Sequence, residues 1–292
     1  MPKGEVTRRN VESTQVPNET KIHTSEKQPE VDKFAEFVHW ATYSLPPNIK
    51  TFSLKHYANF LKATILPYML FLMWYFKNYS LGCWVYMAIH GAYGFLWNLK
   101  TIAFPDKSHE ERVSIGSLPQ LFLVISGYWY IPYMMASGQS EQNPSAERIF
   151  WSVLVFVIGA SFMMITDCQK YFCLMHKKAL IDYGMFAHCR NPNYLGEMML
   201  YASFAILSNR TTPWVILISI WTCIFSILIY VKERSFRRKA GWEQYRKKSY
   251  LLIPKLYGSD LLSIIVYGSA LVIGIKIYNM GGMLEVLKLL NQ

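Results

Sequence analysis

The chain has few of the residue patterns that announce common soluble enzymes. Its five cysteines, Cys83, Cys168, Cys173, Cys189 and Cys223, form no C-x-x-C pair, so a disulfide framework or zinc ribbon is not expected and the thiols read as reduced and structural. His90, His176 and His188 have no metal-ligand spacing, and no metal is expected. G-x-G-x-x-G, Walker and G-x-S-x-G sequences are absent, so a bound nucleotide would not sit on a Rossmann or P-loop unit. Internal repeats and low-complexity tracts are missing too. The N-terminus is hydrophilic, which argues against a cleavable signal peptide and makes the first apolar run the expected insertion signal.

What is present is apolar. The 292 residues are 52% hydrophobic and 16% aromatic, with a net charge of +11. Residues 1 to about 33 are rich in Lys, Glu, Ser, Thr and Asn and cannot bury enough surface to offset their ordering entropy, so a disordered tail is expected there. FAEFVHW, 34–40, has the pattern of a short interfacial helix, and Pro46-Pro47 breaks the chain after it. Several later runs approach the ~20 residues that cross a bilayer. Spans are predicted at 57–76, 80–99, 117–136, 149–167, 192–208, 212–231 and 260–279, with Pro67 kinking the first and a hairpin turn at 208–213. The expected fold is an all-α polytopic transmembrane bundle of about seven spans with a cytosol-facing cavity built from the C-terminal half. With these spans, about 24 Lys and Arg fall on the side that holds the N-terminus and about five on the other, which assigns the basic side to the cytosol. The charge therefore reflects membrane-flanking loops, not a nucleic-acid surface. Four regions follow: 1–50 tail and interfacial segment, 51–160 N-terminal spans, 161–258 cofactor domain, 259–292 last span and tail.

Three clusters on the basic side carry candidate chemistry. TDCQKYF, 166–172, sets Asp167, Gln169 and Lys170 at the exit of the fourth span, where they either anchor the interface or bind a ligand. GMFAHCRNPNYLGE, 184–197, contains a helix start at Asn191-Pro192, with asparagine as the expected N-cap and proline at the first helical position. Asn193, Gly196 and Glu197 then fall at i, i+3 and i+4 on one face. A carboxylate one turn inside a membrane helix marks function by default, though a dipole-favoured, water-facing acid is the alternative. Arg190 at the same positive helix end suits an anion between them. The third cluster, 230–258, brings Glu233, Arg234, Arg237 and Arg238 at helical spacing, then Gly241, a short helix with Trp242 and Tyr245, and a stop at Pro254. Its cations suit phosphate groups or an anionic lipid surface.

The order D-x-Q-K (167–170), L-I-D-x-G-x-F (180–186), C-R-N-P-N-Y-L-G-E (189–197) and K-E-R…G-W-E-Q-Y-R…L-I-P (232–254) resembles the C-terminal domain of the steroid 5-alpha-reductase and sterol reductase class. The resemblance implies an endoplasmic-reticulum membrane enzyme that passes a hydride from NADPH to a C=C bond of a sterol-like or other lipid. It implies Asn193 and Glu197 at the nicotinamide, Asp167, Lys170, Arg190, Arg234 and Arg237 around ribose and phosphates, and Tyr245 lining the pocket. Gln169, Gly196 and Glu233 of the same motifs complete the cofactor set, with Glu197 and Tyr194 as catalytic candidates. That class polarises the substrate carbonyl with an acid and a tyrosine from early helices; Tyr86, Tyr93 and Tyr171 are the tyrosine candidates here. Asn191 stands where the sterol reductases carry histidine. The scaffold is also similar to isoprenylcysteine and phospholipid methyltransferases, which use S-adenosylmethionine, but their paired glutamates are replaced here by Glu233-Arg234. Three readings follow in order: reductase, methyltransferase, and a non-catalytic membrane scaffold.

Overall fold

A computed structural model describes residues 32–291, so the expected disordered tail lies outside the described residues but for its last two. The chain is mostly helical. Helix α1 (Lys33–Tyr43) is capped by Asp32, whose carboxylate accepts from the backbone N–H of Phe34 and Ala35. Its aromatic side chains Phe34, Phe37 and Trp40 face outward. A short antiparallel ribbon, β1 (Lys50–Ser53) with β2 (Arg112–Ser114), departs from the all-helix expectation. It ties the start of α2 (Leu54–Phe76) to the loop after α3 (Leu81–Ala103), where Thr51 Oγ1 also donates to the Val113 carbonyl. Helix α4 (Leu118–Ala136) follows.

Helix α5 (Ala146–His176) runs nine residues past the predicted exit at 167. Asp167 is thus inside the helix rather than at its end. The helix can carry that buried carboxylate because Lys100 of α3 pairs with it at 2.5 Å. Helix α6 (Pro192–Ser208) starts at the expected proline. The expected side-chain cap does not form: Asn191 Nδ2 donates to the Leu251 carbonyl, and its Oδ1 accepts from no donor among the described residues. After a two-residue turn, Asn209-Arg210, comes α7 (Thr211–Ile220), a π-helical turn (Trp221–Phe225) and α8 (Ser226–Arg237), which together make one 27-residue helix. Helices α9 (Trp242–Lys248), α10 (Asp260–Asn279) and α11 (Met283–Leu290) complete the order.

Among the described residues, three helices are long and apolar enough to cross a membrane: Ala146–His176, Thr211–Arg237 and Asp260–Asn279. Helices α2, α3, α4 and α6 occupy the other predicted segments. The core sits where α2, α3, α5 and α6 meet, around Met69, Tyr86, Met163, Leu200 and Phe204. Its tightest seam is α5 against α6. A Cβ on Gly196 would lie 2.6 Å from the Met163 backbone nitrogen, and one on Gly159 would lie 2.7 Å from the Gly196 carbonyl oxygen. Two small residues thus let the backbones touch, the usual device where two apolar helices gain little from excluding water. Ser152 Oγ crosses the same seam to the Ser203 carbonyl.

Candidate functional site

A cavity of about 750 Å³ lies between α2, α3, α4, α5, α6 and the α7–α8 helix. Helix α1 straps it, presenting Ala35, Val38, His39 and Thr42 to the lumen at helical spacing. One end of the strap is held by Ser117, which donates to the Ala41 carbonyl, and the other by Arg234, which donates to Asp32 at 2.6 Å. The wall formed by α4 and the α7–α8 helix is apolar, with Leu121, Val124, Ile220 and Leu228 in it, and Val124 and Leu228 are also exposed outside.

The mouth of the cavity is cationic. Of the five lysines that line the cavity, Lys100, Lys170, Lys232 and Lys239 lie at this end and Lys62 at the other, against the three carboxylates Asp106, Asp167 and Glu197. Two of those acids are engaged: Asp167 by Lys100 and Asp106 by Lys170, each at 2.5 Å. Lys232 donates to Asn193 Oδ1 at 3.1 Å and lies over the Tyr194 ring. Glu197 has no hydrogen-bond or ion-pair partner among the described residues, although the charges of Lys62, Lys100 and Lys170 act on it. His109, in the loop between α3 and α4, also lines this end and stacks on Trp97. Burial holds its imidazole below the ordinary histidine pKa.

The deep end is a cluster that sequence reasoning missed. Lys62, 8% exposed, donates to Tyr201 Oη at 2.7 Å and to Tyr93 Oη at 2.9 Å, and the two hydroxyls are 2.9 Å apart. The ammonium also lies 4.2 Å from the ring centres of both Tyr93 and Tyr128. Beside it, His90 is 2% exposed, bonds through Nδ1 to Tyr86 Oη and stacks on Phe204. Its Nε2 and the Tyr128 hydroxyl are buried without a partner among the described residues. The signal was available: a lysine inside a predicted span deserves the same reading as Glu197. Tyr93, one of three tyrosine candidates, joins this cluster; Tyr86 touches it only through His90, and Tyr171 does not line the cavity. Where the resembled class uses an acid next to the early-helix tyrosine, this chain presents a lysine.

Of the site residues expected from the sequence, Asp167, Lys170, Asn193, Tyr194 and Glu197 meet in this cavity. The others are elsewhere. Gly196 faces the α5 seam, because only hydrogen fits between the two backbones. Gln169 points away, holding the 183–185 loop through the Tyr183 carbonyl and the Met185 N–H. Arg234 is taken by Asp32. Arg190, Glu233 and Tyr245 form a clamp on the start of α6. Arg190 Nε donates to both Glu233 oxygens, at 3.1 and 3.0 Å, and its Nη1 donates to the Ser249 carbonyl. Tyr245 Oη donates to the Phe186 carbonyl. Burial raises that phenol's pKa, which suits a fixed donor rather than an acid. Cys189, in the same clamp, has its thiol pushed up to about 11 by burial and donates to the Leu252 carbonyl, so it is not a nucleophile. Arg190, Glu233 and Arg237 line a separate outer groove between α6 and α8. Among the described residues, no three His, Cys, Asp or Glu side chains gather as a metal site.

A family model described as a protein of unknown function (DUF1295) matches residues 119–250. That family is associated with steroid 5-alpha-reductase-like proteins in general. The matched stretch holds Asp167, Lys170, Asn193, Glu197, Tyr201 and Lys232 but begins after Lys62, His90, Tyr93 and Lys100. No curated protein and no solved structure matches the chain.

Proposed function

We propose that the protein is a membrane-embedded reductase that uses NADPH to saturate a C=C bond conjugated to a carbonyl in a sterol-like or other lipid. One observation carries the reading: a single cavity joins a lysine-rich mouth to a buried ammonium–phenol cluster, past a carboxylate, Glu197, with no hydrogen-bond partner among the described residues. The mouth fits an anionic dinucleotide. Lys170, Lys232 and Lys239 would hold its phosphates, and Asn193 and Glu197 would meet the carboxamide end of the nicotinamide. The volume is within the roughly 300–1,000 Å³ of ordinary ligand cavities, and the apolar wall by α4 and α8 would let a lipid tail remain in the bilayer.

When bound, NADPH supplies the hydride. The chain supplies the rest. Lys62 keeps the Tyr93 and Tyr201 hydroxyls oriented as donors, so a carbonyl oxygen placed beside them meets aligned O–H groups at the moment negative charge develops on it. Tyr201 Oη can then give its proton to the enolate and take one back from Lys62 Nζ, 2.7 Å away. The surrounding aromatic rings exclude water from that end. In this reading α2, α3, α4 and α6 also cross the bilayer, the basic side is cytosolic, and the compartment is the endoplasmic reticulum.

The test is thermal stabilisation of the purified protein by NADPH and, separately, by S-adenosylmethionine. A shift with NADPH is expected; a shift with S-adenosylmethionine alone assigns the scaffold to methyl transfer and overturns the reductase. Glu197→Gln should weaken NADPH binding about tenfold, in keeping with loss of one charge-assisted hydrogen bond. Tyr201→Phe should lower turnover by roughly 10²-fold with little change in cofactor binding.

A further inference from the structure

The groove outside the α6–α8 junction has no part in that chemistry. It measures about 470 Å³ and is separated from the main cavity by Phe225, which lines both and packs on Tyr194 at 5.4 Å. Its floor is apolar: Met198, Trp221, Phe225, Ile229 and Leu252. The π-helical turn places Trp221 and Phe225 there, and such turns recur where a helix face has been re-aimed for function.

Its polar lining includes Ser226 and Tyr230, whose hydroxyls already donate to the Thr222 carbonyl and to Asp32, and the unspent hydrogens belong to Arg237, Arg190 and Trp221. Arg237 is exposed and has no hydrogen bond or ion pair among the described residues. Arg190 spends Nε and Nη1 on Glu233 and Ser249, leaving Nη2 without a partner among the described residues. The indole N–H of Trp221 is buried and likewise unpartnered among the described residues. The one carboxylate, Glu233, is already held by both its oxygens. The groove therefore asks for a ligand that is rich in acceptor oxygens, carries negative charge at one end and is apolar at the other. Arg238, next in the chain to Arg237, is also exposed and adds positive charge. A small soluble anion would leave the apolar floor uncovered. A second apolar helix would bury Arg237 without a counter-charge.

We propose that this groove binds an anionic glycerophospholipid of the surrounding leaflet, its phosphate held by Arg237 and Arg190 and an acyl chain laid along Trp221, Ile229 and Leu252. The Trp221 N–H then meets an ester oxygen of the glycerol backbone. The site is distinct from the NADPH cavity and stands whether or not the reductase reading holds.

The test is native mass spectrometry of the full-length protein given equal amounts of dioleoylphosphatidylglycerol and dioleoylphosphatidylcholine. The wild type should retain the anionic lipid preferentially. Arg237→Glu should lower that preference about fivefold or more, the scale of one basic residue at a lipid surface. Trp221→Phe, which keeps an aromatic floor but removes the N–H, should lower retention of both lipids. Arg237→Gln serves as a milder second variant if charge reversal impairs folding. Equal retention of the two lipids by the wild type, or unchanged preference in both Arg237 variants, overturns the proposal. So does displacement of the lipid by glycerol 3-phosphate alone, which would make this a soluble-phosphate site. Loss of NADPH stabilisation in the Arg237 variants with lipid preference intact would give the groove to the cofactor and also overturn it.

Discussion

Helix α6 has two faces with opposite uses. On one, Gly196, Leu200, Ser203 and Leu207 lock against α5 and the core, with backbone in contact with backbone. On the other, Asn193, Tyr194, Glu197 and Tyr201 line an open cavity. Gly196 and Glu197 are neighbours in one motif, yet the first is there for what it omits and the second for what it presents. A motif shared with a family is thus a mixture of packing and chemistry, and only position on the helix separates them.

The packed face is the more sensitive of the two. Gly196→Ala adds a Cβ into backbone atoms that cannot move aside, and the expected cost is about 3 kcal/mol or more, read as loss of monodisperse protein or a large fall in Tm. A normal Tm for this variant would mean that the seam is looser than described. On the open side, the buried pair Lys100–Asp167, each side chain about 10% exposed, sharpens the contrast. Asp167→Asn leaves a buried ammonium without its counter-charge and should cost about 3 kcal/mol. The more exposed Lys170–Asp106 pair should be worth about 1 kcal/mol in the same assay.

The smallest expected effect concerns His109. Burial depresses its pKa in the folded protein, so the unfolded chain takes up the proton first as pH falls. The stability it permits is complete above the ordinary histidine value of about 6.5 and is lost progressively as pH drops toward the folded value. Tm should decline between pH 7 and 5.5, and His109→Gln should flatten that part of the profile. An unchanged slope in the variant would place the titration elsewhere.

Much of the helical layout was legible. The helix at 192–208 could be read from Pro192 and the turn at 208–213, and 260–279 from its unbroken apolar run, because these signals are local. The π turn at 221–225 was not, since nothing in WTCIF sets it apart from ordinary helix. The ribbon of β1 and β2 was missed because it joins residues some sixty positions apart. The motifs put Arg190, Glu233 and Tyr245 in the cofactor set, but in the fold Arg190 and Glu233 pair with each other and Tyr245 holds the backbone ahead of α6. Lys62 is a single charge in a long apolar span, and its partners come from α3 and α6.

Sequence alone determined the membrane-helix class and the start of α6, because apolar length and the missing N–H of proline act within a few residues of themselves. Tertiary structure decided which charges are spent on each other and which are left facing space. An ion pair or a phenol–ammonium bond depends on distance between helices, and no spacing along one chain encodes that distance.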